Sequence, residues 1–125
     1  MLERRVLSVN IDNIGEMAVL ECAGGIVRSE DALKLRGAVN SQSAARIIVL
    51  DLSEVPAIGS EGLGMLVFLQ RWASDHDIRL KLFNPRQSVF DKLEHVNSMR
   101  EFDIATLDEM MALLARADAR YALAA

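Results

Sequence analysis

One cysteine, two prolines and few aromatic residues (four Phe, one Trp, one Tyr) are spread over 125 residues. The lone thiol, Cys22, excludes an internal disulfide, and its apolar neighbours make it a small buried strand residue rather than a nucleophile. Long hydrophobic runs are missing too. Apolar residues come in short stretches such as Ile47-Ile48-Val49-Leu50, far below the roughly 20 residues a membrane-spanning helix needs. Met1-Leu2-Glu3-Arg4-Arg5 leads into no apolar segment of the kind that drives export, so a cytoplasmic protein is expected. Positive charge is in deficit: 14 Lys and Arg stand against 18 Asp and Glu, a formal net charge of −4. Arg4, Arg5, Arg79, Lys81 and Arg86 are scattered along the chain, which argues against nucleic acid as the main partner. His, Cys, Asp and Glu nowhere adopt metal-ligand spacing, and His76 lies in the polar run Asp75-His76-Asp77, the pattern of a solvated turn. Neither a metal nor a cofactor is expected, and neither is catalysis.

What remains is an ordinary globular composition, 51% hydrophobic and 26% charged, with no linker, repeat or charge block. Such a chain is expected to form one domain over residues 1–125, large enough to bury its own core. Leu7, Val9 and Ile11 alternate with Ser8 and Asn10, Asp12-Asn13-Ile14-Gly15 supplies turn residues, and Met17 to Ala23 is apolar again; this predicts a hairpin. After the bend at Gly24-Gly25, Ser29 is the predicted N-cap of a helix with Leu35, Ala38 and Val39 on one face. Ile47 to Leu50, short, β-branched and apolar on both faces, predicts a central strand covered by helices on either side. A loop over Ser53 to Ser60, a helix over Ser60 to Asp75 and a strand over Leu80 to Phe83 follow. Asn84-Pro85-Arg86-Gln87 then predicts a capped helix start with Pro85 in the first turn. A last strand falls around Phe102 to Ile104, and Thr106-Leu107-Asp108-Glu109 reads as a capping box before Met110, Met111, Leu113 and Leu114. Strand and helix alternate behind an opening hairpin, so the class is α/β with a mixed, mostly parallel sheet and about four helices.

Gly59-Ser60-Glu61-Gly62-Leu63-Gly64 is the one stretch with a chemical accent. It lacks the Lys-Ser/Thr ending of a phosphate-binding loop, and Ser60 does not sit in a Gly-x-Ser-x-Gly elbow. It does join a central strand to a helix, at the carboxyl end of the sheet, where α/β ligands and partners bind. The plainer account is that Gly62 and Gly64 only let the helix approach the sheet.

Val49-Leu50-Asp51-Leu52 before Pro56 has the look of a receiver-domain phosphoacceptor strand, but the acidic pair and the lysine of that family are missing. A second resemblance covers about Val6 to Leu114. The opening hairpin, Gly25-Ile26, Ile48-Val49-Leu50-Asp51-Leu52-Ser53, Ile58 to Gly64, Leu80-Lys81-Leu82-Phe83-Asn84-Pro85 and Val89 to Leu93 follow one another as in a STAS domain, the family of bacterial anti-sigma factor antagonists. The resemblance implies a non-catalytic docking protein whose partner is an anti-sigma factor of the serine-kinase type. That kinase phosphorylates a hydroxyl at the third position of the family's Asp-Ser-Ser/Thr-Gly-Leu-Gly turn. Here Gly59 replaces the Asp and Glu61 the phosphoacceptor. Three roles for Glu61 stay open, in this order: an interface residue outside phosphorylation control, a permanent imitation of the phosphorylated state, or a bystander to phosphorylation of Ser60. The implied contact surface is Ile58, Gly59, Ser60, Glu61, Gly62 and Leu63, flanked by Gly25, Ile26 and Pro85. Stand-alone members also serve lipid transporters of the ATP-binding-cassette type, and a small-ligand or nucleotide sensor using the same turn is a third reading. A homodimer is compatible with each.

Overall fold

The fold comes from a computed structural model that describes residues 6–96 and 102–124. Arg4 and Arg5, counted above among the scattered cations, lie outside the described residues. Five strands form one mixed sheet in the order β1-β2-β3-β4-β5: β1 (Ser8–Ile14), β2 (Met17–Ala23), β3 (Ile47–Glu54), β4 (Arg79–Phe83) and β5 (Ile104–Ala105). The hairpin β1–β2 is antiparallel and the other pairings are parallel. Four helices complete the fold: α1 (Ser29–Asn40), α2 (Ser60–Asp75), α3 (Gln87–Val96) and α4 (Leu107–Ala124).

Side chains alternate across each strand, so each face of the sheet collects its own core. Ala18, Leu20, Ile48, Leu50, Leu80 and Leu82 point towards α1, α2 and α3, where Leu35, Val39, Leu66, Leu69, Val89 and Leu93 close over them. On the opposite face Met17, Val19 and Val49 meet Met110, Leu113 and Ala117 of α4. Ile48, Val49 and Leu50 are fully buried, as expected of a strand covered on both faces. Each such side chain contributes about 1.5–3 kcal/mol relative to an exposed one.

Several boundaries differ from the sequence reading: β4 begins at Arg79 rather than Leu80, and β5 is Ile104–Ala105 rather than Phe102 to Ile104. The hairpin turn is only Gly15-Glu16, with Gly15 in the left-handed region at φ 61°, and Asp12, Asn13 and Ile14 belong to β1. β3 continues to Glu54 because Gly24 N–H still pairs with the Glu54 carbonyl at 3.1 Å. Ser29 is the first residue inside α1, not its cap. The cap position is Arg28, whose N–H donates to the buried Asp31 carboxylate at 3.1 Å, with Val27 N–H donating to the same oxygen at 3.4 Å. Asn84 is not a cap either: it is left-handed (φ 54°), and α3 starts two residues after Pro85, its first turn closed by Phe90 N–H on the Arg86 carbonyl at 2.8 Å. The second capping box is as expected, with Glu109 N–H on Thr106 Oγ1 at 3.1 Å and Thr106 N–H on Glu109 Oε1 at 3.2 Å.

Candidate functional site

The β3–α2 turn is built by backbone pairing that runs past the ends of the strands. Ile26 and Ile58 form an isolated parallel bridge, with Ile26 N–H on the Ala57 carbonyl and Gly59 N–H on the Ile26 carbonyl, both at 3.0 Å. Gly59 then caps α2 in extended conformation without a side chain to offer, which leaves the amides of the first turn to solvent or to an anion.

Gly62 shows why a glycine stands inside this helix. A Cβ there would lie 2.3 Å from the Ile26 carbonyl oxygen, 2.7 Å from Ile58 Cγ1 and 2.9 Å from Ile26 Cγ2. Gly64, by contrast, faces open space, so only one of the two glycines serves close packing.

Helix α3 and Arg86 just before it fasten the other side of the turn. Arg86 Nε donates to the Ser53 carbonyl at 2.9 Å, Ser88 Oγ to the Pro56 carbonyl at 3.3 Å and Lys92 Nζ to the Ile58 carbonyl at 2.9 Å. Carbonyls at the end of β3 and in the loop after it are thus satisfied by α3 and the residue before it, and the turn is held as part of the scaffold.

Glu61 is exposed in the first turn of α2, and the Ser29 hydroxyl, in the first turn of α1, donates to its carboxylate. Seven residues further along both helices the Arg36 guanidinium lies 5.4 Å from the centre of the Phe68 ring. Equal steps of two turns on each helix mean that α1 and α2 run side by side in the same direction. The surface they share begins at Glu61 and continues through Leu33 and Phe68, exposed at 57% and 47%, with Val27 at 47% beside Gly59.

The residues expected to make contacts separate into two groups. Ser60 and Glu61 are exposed, and Gly25, Gly59 and Leu63 are partly so. Ile26, Ile58 and Gly62 are buried and set the shape of the turn from beneath. Pro85 lines a surface cavity with Phe83, Phe90 and Leu107, which no residue of the Ile58–Leu63 turn lines. Nothing local in the sequence tied Ser29, Val27, Arg86 and Lys92 to this site, because each acts on a residue 32 or more positions away or through surface exposure alone.

Elsewhere the chemistry is quiet. The Cys22 thiol is pushed up to about 12, first by burial and then by the charge of Asp51. His76 is exposed and ends α2, its Nδ1 2.8 Å from the Trp72 carbonyl. Among the described residues no group of three or more His, Cys, Asp or Glu could hold a metal, and no helix is long and apolar enough to cross a membrane.

Comparison with known proteins finds the same fold. An anti-sigma factor antagonist from Mycobacterium paratuberculosis superposes with a TM-score of 0.73 at 18% identity, covering 87% of this chain and 94% of that one. The antagonist SpoIIAA of Bacillus, in its unphosphorylated form, gives 0.68 at 15% identity, covering 88% and 96%. The murine anion transporter Solute Carrier 26 family member A9 gives 0.68 at 14% identity, over 84% of this chain but only 18% of the transporter. No curated protein sequence matches the chain. The family model of the STAS domain matches residues 8–112, and the chain belongs to the STAS domain family.

Proposed function

We propose that residues 1–125 act as a single STAS domain that works by docking rather than catalysis, with an anti-sigma factor of the serine-kinase type as partner and no phosphorylation at position 61. The observation that carries this reading is the carboxylate of Glu61, displayed at the head of α2 and held by the Ser29 hydroxyl. A phosphate at that place would bring about −1.5 to −2 charge, whereas the carboxylate brings a single charge that the helix dipole favours by roughly 0.3–1 kcal/mol. Position 61 therefore carries a modest, constant charge. The apolar surface formed by Val27, Leu33 and Phe68 offers a partner the desolvated contact that interfaces need. Gly25, Gly59, Ser60, Glu61 and Leu63 belong to the contact, while Ile26, Ile58 and Gly62 hold its shape.

Calorimetric titration of the wild type and Glu61→Ser with each serine-kinase-type anti-sigma factor of the same genome, in ADP and in ATP, tests the proposal. Wild-type binding that ATP leaves unchanged is expected, and Phe68→Asp should weaken it by about tenfold or more. Binding by Glu61→Ser alone, followed by release in ATP, would instead make Glu61 a permanent off state. Silence from both proteins would refute the docking reading and turn attention to a transporter partner.

A further inference from the structure

The far end of the sheet carries charge that docking at Glu61 does not use. Strands β2, β3 and β4 begin there side by side, with Met17 opposite Ile47 and Ile47 opposite Arg79. Arg46 N–H bonds to the Glu16 carbonyl and Arg79 N–H to the Arg46 carbonyl, each at 2.9 Å. Arg46 and Arg79 thus enter neighbouring strands one position out of register, Arg79 lying opposite Ile47. Helix α4 crosses the same end and adds Arg116. All three arginines line one cavity of about 270 Å³.

Three cations around one small cavity repel one another unless anions compensate them. Glu16 does so for Arg46, at 3.6 Å. Asp77 also lines the cavity, but among the described residues no carboxylate lies within ion-pairing distance of Arg79 or Arg116. Lys81 does not add to this charge, because its buried ammonium is spent on Asp103 at 2.8 Å and Glu109 at 3.6 Å. In a chain of net charge −4 the cluster is a local inversion of sign. The rest of the lining is apolar: Met17, Ile47, Leu113 and Ala117. Guanidinium groups match phosphate oxygens in forked, bidentate geometry, and an apolar wall beside them suits a carbon skeleton. The volume lies just below the roughly 300 Å³ at which drug-sized sites begin, so the carbon part is small.

We propose that this cavity binds a small organic phosphate monoester, its phosphate between Arg79 and Arg116 and its carbon part against Ile47 and Leu113. The test is an amide-detected NMR titration of the full chain with phenyl phosphate, inorganic phosphate and benzyl alcohol. Phenyl phosphate should give saturable shifts at Glu16, Ile47, Asp77 and Arg79, with affinity about tenfold above that of inorganic phosphate and no comparable response to the alcohol. Arg79→Gln and Arg116→Gln, both at exposed positions and checked for an unchanged melting temperature, should each weaken binding by about tenfold, and Arg28→Gln should not. Equal affinity for inorganic phosphate, shifts confined to Gly59–Gly62, indifference to both substitutions, or no shift at all would overturn the proposal. Sedimentation with phosphatidic acid vesicles, lost in Arg79→Gln, without a response to phenyl phosphate would overturn it in favour of a lipid headgroup.

Discussion

Replacing Gly62 by alanine adds one methyl group at the point where α2 lies closest to the sheet extension. That carbon would sit 2.3 Å from the Ile26 carbonyl oxygen and 2.7 Å from Ile58 Cγ1, where ordinary contacts begin at about 3.4 Å. Relief therefore needs a displacement of about 1 Å, and the surroundings resist it. Ile26 and Ile58 are 0% and 1% exposed, and the Ile26 oxygen is the acceptor that fixes Gly59. Overpacking of this kind costs about 1–3 kcal/mol, and stretching the Gly59 hydrogen bond adds about 0.5–1.5 kcal/mol. Removing a glycine from a helix returns about 1 kcal/mol. The expected result is a net loss of about 2 kcal/mol, a fall in melting temperature of about 6–10 °C for a chain of this length. Gly37→Ala in α1 is the control: its Cβ meets nothing within 4 Å, so only the propensity gain of about 0.5–1 kcal/mol remains. Urea unfolding followed by circular dichroism measures both against the wild type, provided each transition is two-state. Stability of Gly62→Ala at or above the wild type would refute the close-approach argument, and so would a loss in Gly37→Ala as large as that at Gly62.

Two further outcomes follow from titratable groups. Glu109 sits below its ordinary value of 4.5, first because Thr106 N–H donates to it and then through the charge of Lys81. A folded value below the unfolded one gives stability that is complete above about pH 4.5 and lost as pH falls through the folded value. Glu109→Gln should therefore be less stable than the wild type at pH 7, and the gap in urea midpoint should close as pH falls below about 4.5; a constant gap would contradict this. Cys22, buried with its thiol pushed up to about 12, should resist a disulfide reagent at about pH 8 until guanidinium unfolds the chain, and rapid labelling of the native protein would count against its burial.

The parts of this fold that sequence reading recovered are those set by local rules. Alternation in β1, the doubly apolar Ile47 to Leu50 and the Thr106–Glu109 capping box each depend on neighbours a few positions away. Errors arose where a long-range partner outbid a local one. Ser29 has the right chemistry for a cap, but the cap position falls on Arg28, whose N–H is taken by the buried Asp31 carboxylate, and the Ser29 hydroxyl turns to Glu61, 32 positions away. Asn84-Pro85 imitates a helix start, yet Asn84 is used for its tolerance of the left-handed region, which carries the chain from β4 into α3. At the candidate site the turn Ile58–Leu63 stood out through its glycines, and Gly25-Ile26 through the family pattern. The clamp formed by Arg86, Ser88 and Lys92 did not, because polar residues on a short helix and just before it carry no sign of the carbonyls they will meet.

That clamp bears on how position 61 can act. The turn is fixed by Ile26 and Gly59 on one side and by α3 on the other, so its backbone has little freedom to answer a change of side chain. Gly62 sets the distance between helix and sheet, and Glu61 sets the charge displayed there; the two neighbours divide geometry from chemistry. Exchanging Glu61 for serine removes one exposed hydrogen bond and a dipole interaction of roughly 0.3–1 kcal/mol, and no packing. A difference in partner binding between wild type and Glu61→Ser would then report the carboxylate itself, because the surface that carries it stays in place.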